Sequence, residues 1–223
     1  MRIKVCKFGG SSVASAEQIK KVINIITSEV DRRVVVVSAP GKRFSADTKV
    51  TDMLYACYAL AEAGKNFDKE LKQIKARYEE IIKGLNLRAD LLDKEFETVK
   101  AQFAAKVGKD YAASRGEYLN GIIMAEYLGY QFLDAAEVIF FDEKGNFLSE
   151  KTNEVLGNRV KEYENVVLPG FYGAKPDGTI KTFDRSGSDI TGSILARAVQ
   201  ADIYENWTDV SGFLLTDPRI VKL

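Results

Sequence analysis

The stretch "VCKFGGSSVA", residues 5–14, decides the fold class, because a short apolar run leads directly into two adjacent glycines. A buried strand, a glycine-rich turn and the start of a helix together form a cradle for an anion, since backbone N–H groups approach phosphate oxygens closely and the helix end adds partial positive charge. Lys7 lies inside the apolar run, near the expected end of the strand. Its position before the glycines matches neither the P-loop nor the dinucleotide-binding G-x-G-x-x-G pattern. The stretch therefore predicts an anion site of another kind, the alternative being a surface lysine beside a turn.

Short apolar runs recur along the rest of the chain, and helical patterns lie between them. We predict buried strands at residues 3–8, 34–37, 138–141, 166–171 and 202–210. Between them, apolar residues recur with the 3.6-residue period of a helix, as at Ile19, Val22, Ile23 and Ile26. This alternation predicts a three-layer α/β/α sandwich around a mostly parallel central sheet.

Residues 53–108 have a different composition, rich in Lys, Glu, Ala and Leu and free of proline. Two apolar stripes flank the turn-like sequence "KGLNLRAD", residues 83–90, which predicts a helical hairpin. We assign residues 53–110 as a helical insertion within a single domain that spans 1–223. The insertion is either a lid, a subunit contact or extra helices packed beside the sheet. A β-hairpin is predicted at residues 173–183, with Pro176, Asp177 and Gly178 at its turn.

The composition excludes several classes of function. The 223 residues contain 32 Lys and Arg and 32 Asp and Glu, so nothing global attracts nucleic acid or an anionic membrane. The chain has no histidine and two cysteines, which excludes Ser-His-Asp chemistry, a disulfide scaffold and a zinc cluster. The charged N-terminus is not a signal peptide, and no apolar run approaches the roughly 20 residues of a membrane span. A cytoplasmic location is the expectation.

Three further stretches carry candidate site residues. In "TFDRSGSDITGSILARAVQA", residues 182–201, Arg185 is able to clamp a carboxylate or phosphate, and Ser188 or Asp189 is the expected N-cap of a helix. In "SRGEYLNGIIMAEYL", residues 114–128, Ser114 and Glu117 form an S-x-x-E capping box, unless Glu117 binds a substrate ammonium instead.

The last of these stretches is "NWTDVSGFLLTDPR", residues 206–219. It places Asp209 at the carboxyl edge of the sheet, where open α/β sheets bind ligands. Arg219 follows in a turn, where it would face a nucleotide.

In this order, the four stretches resemble the catalytic domain of the aspartate kinases, within the amino acid kinase family. "KFGGSSVA" resembles that family's K-F-G-G-T-S-V, "SRGE" its S-x-G-E, "DRSGSD" its G-R-G-G-S-D, and "WTDVSGFLLTDPR" its W-T-D-V-D-G-x-Y-T-T-D-P-R. The resemblance covers residues 3–220. It implies transfer of the γ-phosphoryl group of ATP to the side-chain carboxylate of L-aspartate, with Mg²⁺ arriving on ATP and no metal ligand assigned among the side chains.

The resemblance also implies a role for each matching residue. Lys7 would bridge the phosphates and stabilise the transferring group, and Asp189 would share the amino-acid site as a catalytic residue. Substrate contacts are implied for Ser38, Thr51, Glu117 and Arg185. Phosphate or nucleotide contacts are implied for Gly9, Gly10, Ser11, Thr208, Asp209 and Arg219.

Departures from the family pattern bear on the nucleotide contacts and on the extent of the chain. Leu214 stands where the family usually has tyrosine, Ser211 replaces a common aspartate, and Asp184 and Ser186 replace glycines around Arg185. The family's kinase domain continues beyond T-D-P-R and most members carry regulatory domains, so the resemblance implies a truncated catalytic domain whose full-length parent is a homo-oligomer. The alternatives are a kinase for glutamate, acetylglutamate or a nucleoside monophosphate, or a non-catalytic ligand-binding module.

Overall fold

The computed structural model describes residues 2–184 and 187–208. Its strands are β1 (Lys4–Phe8), β2 (Val34–Val37), β3 (Gln131–Phe132), β4 (Val166–Pro169), β5 (Tyr172–Ala174), β6 (Ile180–Thr182) and β7 (Ile203–Trp207). Its helices are α1 (Ala16–Thr27), α2 (Val50–Glu62), α3 (Asp68–Gly84), α4 (Asp93–Ala104), α5 (Lys109–Leu128), α6 (Ala135–Val138), α7 (Ser149–Lys161) and α8 (Gly187–Ala198). A 3₁₀ turn at Gly10–Val13 connects β1 to α1.

Within the described residues, five strands form a parallel sheet in the order β3-β4-β2-β1-β7. The strands β1 and β2 lie in its interior and are almost wholly apolar, as expected of parallel strands covered on both faces. Side chains alternate along β1, so Cys6 and Phe8 pack into the core on one face while Val5 packs on the other. Lys7 shares the face of Val5, which is the face that α8 covers.

Two hydrophobic cores, one on each face of the sheet, make the three predicted layers. One core joins the sheet to α1, α2, α3, α4 and α5, and the other joins it to α6, α7 and α8. The predicted α/β/α sandwich with a parallel sheet is therefore confirmed. Among the described residues, none of the helices combines the length and the apolarity needed to cross a membrane.

The strand predicted at residues 138–141 is wrong. Val138 ends the short helix α6, and Phe140 and Phe141 form only isolated bridges, to Ala174 and Phe147. Phe141 is apolar because it packs into the core on the α7 side of the sheet, where burial does not require strand pairing, whereas Phe140 is only half-buried. The sequence reading also missed α7 and the two-residue strand β3.

The predicted helical region contains three helices rather than two. The turn at residues 83–90 does separate α3 from α4, but α2 precedes them and packs along α5. Tyr58, Tyr78 and Phe103 are fully buried within this region, which joins the core on that face of the sheet. The assignment of residues 53–110 as an insertion stays a prediction. The β-hairpin within residues 173–183 is present as β5 and β6, an antiparallel pair.

Candidate active site

A cavity of about 650 Å³ opens at the carboxyl ends of β1, β2 and β4, the edge at which parallel α/β sheets bind ligands. The turn after β1 contributes Gly9 and Gly10 to its lining, and Ser38 lies directly after β2. The first turn of α8 closes another side with Gly187, Ser188 and Asp189. Glycine-containing turns from two separate elements therefore face one space.

Lys7 occupies the floor of this cavity and is nearly buried, with 7% of its surface exposed. Its Nζ atom lies 2.6 Å from Oδ1 of Asp189 in the first turn of α8. The same Oδ1 accepts a hydrogen bond of 3.1 Å from Nδ2 of Asn206 on β7. The ammonium group is therefore fixed at a known point, because a rigid central strand carries it and a neighbouring helix holds it.

Gly9 and Gly10 contribute in different ways. The Gly9 N–H donates to the carbonyl oxygen of Trp207 at 3.3 Å, so in this structure Gly9 mainly gives the cavity room above Lys7. A Cβ atom on Gly9 would lie 3.6 Å from Lys7 Nζ, whereas one on Gly10 would lie 2.9 Å from the carbonyl oxygen of Ala39. Gly10 is therefore required for close packing between the two loops.

The loop after β2 packs directly on the turn after β1. The Gly41 N–H donates to the Gly10 carbonyl oxygen at 2.8 Å, and a Cβ atom on Gly41 would lie 2.7 Å from the carbonyl carbon of Gly10. Arg77 of α3, which is buried, donates from Nη2 to the carbonyl oxygens of Ala14 at 2.9 Å and Gly41 at 3.0 Å. Its Nη1 atom lies 3.3 Å from Oδ2 of Asp47. A guanidinium from the helical region thus holds both loops from behind the cavity.

Glu117 enters the cavity from the middle of α5. Burial raises the pKa of its carboxyl to about 8, although the Ala39 N–H and the neighbouring Arg115 charge act in the opposite direction. Its Oε2 atom is buried and has no hydrogen-bond partner among the described residues. A buried, unpartnered carboxyl oxygen facing a cavity is a candidate for contact with a cationic ligand group.

Two capping predictions are wrong. Ser114 and Glu117 do not form a capping box, because α5 begins at Lys109 and both residues lie within it. The helix continues from Ser114 toward its N-terminus through Ala113 and Ala112, which are apolar and fully buried. Ser188 and Asp189 are likewise inside α8, which begins at Gly187, although an acidic residue in a first turn still suits the helix dipole.

The predicted site residues fall into four groups. Lining the main cavity are Lys7, Gly9, Gly10, Ser38, Thr51, Glu117 and Asp189. Ser11 lines an adjoining cavity of about 500 Å³, which it shares with Gly10, Ser38, Thr51 and Glu117. Thr208 follows β7 and is exposed, and it is not among the lining residues. Arg185, Asp209, Arg219 and the departures at Ser186, Ser211 and Leu214 lie outside the described residues, while Asp184 and Gly187, which flank residues 185–186, line the main cavity.

Several lining residues escaped the sequence reading. Lys49 and Tyr55, which line the cavity, flank Thr51 at the start of α2. Asn120, one turn after Glu117, supports the lining from behind by donating to the Ser38 carbonyl oxygen at 2.7 Å. Phe171 lines the cavity with a φ of 81°, a conformation that a bulky residue rarely adopts. The helical spacing of Asn120 from Glu117 was a usable signal, but nothing in the sequence marks Phe171.

Comparison with known proteins gives a consistent result. The profile described as "Amino acid kinase family" matches residues 2–223. Aspartokinase 3 of Bacillus subtilis (strain 168) is 37% identical over 235 residues, covering 99% of this chain and 51% of that protein. The crystal structure of Clostridium acetobutylicum aspartate kinase matches with a TM-score of 0.93 at 51% identity, over 100% of this chain and 51% of that one.

A further structural relative is E. coli aspartokinase III in complex with aspartate and ADP. It matches with a TM-score of 0.83 at 27% identity, over 99% of this chain and 52% of that one. The chain therefore spans about half the length of the relatives it matches.

Proposed function

The chain belongs to the amino acid kinase family, and from that premise we propose that it forms the catalytic region of an aspartate kinase. The reaction is transfer of the γ-phosphoryl group of ATP to the side-chain carboxylate of L-aspartate, giving 4-phospho-L-aspartate. Relatives that cover the whole chain are named aspartokinases, and one of them was crystallised with aspartate and ADP. The observation that carries the proposal is a fixed lysine ammonium in a cavity that also contains a buried carboxyl with an unpartnered oxygen.

The chemistry of the reaction explains why this cavity has its composition. The acceptor is a carboxylate, which carries no proton at neutral pH, so no general base is needed. The absence of histidine from the chain is therefore no obstacle. The barrier comes instead from bringing two anions together, and cationic groups held in advance along the path lower it by several kcal/mol. Lys7 supplies such a group in a position that the sheet defines.

We propose that the Lys7–Asp189 ion pair is the resting arrangement of the phosphate site. An arriving phosphate competes with the Asp189 carboxylate for the Lys7 ammonium. Asp189 is about 41% exposed and also held by Asn206, so it remains stabilised when the lysine turns toward the phosphate. Gly9 leaves room directly above the ammonium.

The amino-acid end of the substrate is assigned to Glu117, with Ser38 and Thr51 beside it. An ammonium group that contacts Oε2 of Glu117 gives this carboxyl the partner it lacks and favours its ionised form. Arg185 is proposed to hold the α-carboxylate, since Asp184 and Gly187 on either side of residues 185–186 line the same cavity. Thr208, Asp209 and Arg219 are proposed to contact the nucleotide.

ATP is the proposed phosphoryl donor, and Mg²⁺ bound to it would neutralise charge on the phosphates. Among residues 2–184 and 187–208, no group of three or more acidic or cysteine side chains is arranged to hold a metal ion. We therefore assign the ion mainly to phosphate oxygens and water, as is usual for Mg²⁺.

We further propose that the full-length parent works in the cytoplasm as a homo-oligomer. Its product would lead toward lysine, threonine and methionine. One relative is named lysine-sensitive aspartokinase 3, which fits this placement.

An acyl-phosphate assay tests the proposal. The chain is incubated with ATP, Mg²⁺ and hydroxylamine, which traps an acyl phosphate as a hydroxamate, and with L-aspartate, L-glutamate or N-acetylglutamate as acceptor. We expect hydroxamate from aspartate in preference to the other two. Preference for glutamate or acetylglutamate would overturn the acceptor assignment, and binding of ADP and aspartate without product from any acceptor would favour the ligand-binding module.

A further inference from the structure

Arg115 differs from the other buried arginines of the described residues in lacking a carboxylate partner. Arg32 lies 2.7 Å from Glu29 and 2.8 Å from Glu205, and Arg77 lies 3.3 Å from Asp47. Arg115 is equally buried, with 6% of its surface exposed, yet no carboxylate of the described residues lies within 4.0 Å of it. Its only hydrogen-bond acceptor there is Oγ of Ser114, at 3.1 Å from Nε and 3.0 Å from Nη2.

Three tyrosine rings surround the Arg115 guanidinium. Its Cζ atom lies 4.6, 4.2 and 5.4 Å from the ring centroids of Tyr111, Tyr118 and Tyr172, respectively. Aromatic faces stabilise a guanidinium in a fixed plane, but they accept none of its N–H groups in the way an anion does. Three of its five N–H donors therefore have no acceptor among the described residues. No nitrogen of Arg115 there is both fully enclosed and unpartnered, so these donors face space that is open to a ligand or to water.

Arg115 lines a cavity of about 440 Å³, within the size range of small-molecule sites. The cavity is bounded by Tyr111 and Gln102 on one side and by the turn of the β5–β6 hairpin, Asp177 to Ile180, on the other. It shares no lining residue with the Lys7 cavity. Side chains two residues apart on a helix project about 200° apart around its axis, so Arg115 and Glu117 lie on opposite sides of α5.

Asp177 in the hairpin turn and Asp134 are the other charged groups that line this cavity. Asp177 accepts a hydrogen bond from the Thr179 N–H at 2.9 Å, and Asp134 is likewise hydrogen-bonded. The Asp134 Oδ1 atom accepts from the Ala136 N–H at 2.9 Å and from the Tyr172 hydroxyl at 2.7 Å. These bonds hold the Asp134 carboxylate in place without neutralising it. A neighbouring negative charge favours a singly charged carboxylate over a phosphate dianion.

We propose that this cavity is a second ligand site, in which Arg115 binds the carboxylate of a small molecule beside the Tyr111 ring. A planar guanidinium matches the two oxygens of a carboxylate. The site goes beyond the proposed kinase reaction and does not depend on it, since none of its residues belongs to the Lys7 cavity.

The test uses NMR spectra of the chain with labelled tyrosine rings, assigned by Tyr→Phe variants. Propionate is the carboxylate probe, inorganic phosphate the competing anion, and sodium chloride the ionic-strength control. We expect the ring signals of Tyr111 and Tyr118 to shift saturably with propionate, with a dissociation constant of about 1 mM or tighter. Phosphate is expected to bind more weakly, and chloride not to saturate.

Two variants locate the binding. Arg115→Gln is expected to abolish the propionate shifts, and Lys7→Met to leave them unchanged, whatever that variant does to the kinase reaction. The proposal is overturned if chloride reproduces the shifts of the unmodified chain, a comparison that holds even if Arg115→Gln does not fold. Loss of the shifts in Lys7→Met, or their persistence in a folded Arg115→Gln, overturns it equally, and tighter binding of phosphate overturns the choice of a carboxylate.

Discussion

Glu117 is the cavity residue whose protonation the fold controls most directly. Burial raises its carboxyl pKa from 4.5 to about 8, so between these pH values the folded protein binds a proton that the unfolded chain has released. The free energy of unfolding therefore falls as the pH rises through this window, by up to about 1.4 kcal/mol per pH unit. We expect Glu117→Gln to flatten this part of the profile in urea denaturation.

The matched control is Glu126→Gln, on the exposed side of the same helix. It is expected to leave the profile between pH 4.5 and about 8 as it is in the unmodified chain. An unchanged profile in Glu117→Gln would show that the carboxyl is solvated and that the cavity does not control its ionisation.

The same pKa predicts how aspartate binding responds to pH. If the substrate ammonium requires ionised Glu117, affinity rises with pH up to about 8. The gain is up to about tenfold per pH unit, because each binding event must first release a proton. Calorimetric titration with aspartate at several pH values measures it. A pH-independent affinity, or the same dependence in Glu117→Gln, would contradict the assignment of the ammonium to Glu117.

The adjacent glycines give a prediction in which two neighbours behave differently. Gly9→Ala fits sterically, since its Cβ atom would lie 3.6 Å from Lys7 Nζ, but it fills the space above the ammonium. We expect near-normal stability and nucleotide affinity weakened by about tenfold or more. Gly10→Ala forces its Cβ atom to within 2.9 Å of the Ala39 carbonyl oxygen and is expected to destabilise the fold by about 1–3 kcal/mol.

Trp207, the single tryptophan, provides the reporter for both glycine variants, because its carbonyl oxygen accepts the Gly9 N–H. Its fluorescence follows ADP binding in one experiment and urea unfolding in the other. Equal loss of stability in the two variants would contradict the distinct roles of the glycines.

At the scale of elements, α3 acts on the site through the backbone that it holds. Arg77 joins the carbonyl oxygens of Ala14 and Gly41 to the Asp47 carboxylate, and Gly41 in turn contacts Gly10. We expect Arg77→Gln to lower the free energy of unfolding by about 1–3 kcal/mol, because buried acceptors lose a charged donor. The KM for ATP is expected to rise more than the KM for aspartate, since the displaced loop is the one nearest the proposed phosphate site.

Two further substitutions separate this positioning effect from general damage to α3. Glu80→Gln, also on α3, removes an exposed ion pair with Arg43 of the loop after β2 and is expected to change neither KM. Arg77→Lys restores the charge but not the fork of donors, so partial recovery is expected. Equal rises of both KM values in Arg77→Gln would mean that α3 only stabilises the fold.

Over the whole molecule, the sequence predicts the elements that strong local patterns define, but not the features that depend on tertiary packing. The runs that became β1, β2 and β4 are apolar because both faces of the sheet are covered there, so sequence alone identifies them. Phe141 is equally apolar for a different reason, since it packs into the core without belonging to a strand ladder, and periodicity cannot separate the two cases.

The candidate site shows the same division. Lys7, Gly10 and Glu117 stand in motifs with recognisable spacing, whereas Asn206 and Arg77 reach the site only through the fold. Asn206 meets Asp189 because β7 lies next to β1, and Arg77 meets Gly41 because α3 crosses behind the loops. The S-x-x-E pattern of residues 114–117 was wrongly interpreted as a helix start, although α5 already begins at Lys109. The pattern alone does not indicate whether the residues before it are helical.

We propose that the ammonium of Lys7 lowers the barrier for phosphorylation of a carboxylate. The most direct measurement is the rate of aspartate hydroxamate formation in Lys7→Met compared with Lys4→Met, since Lys4 is on the same strand but pairs with Glu29 and Glu205. We expect a loss of about 10²-fold or more in Lys7→Met and a rate near that of the unmodified chain in Lys4→Met. A Lys7→Met variant that keeps the full rate, or equal losses in both variants, would contradict it.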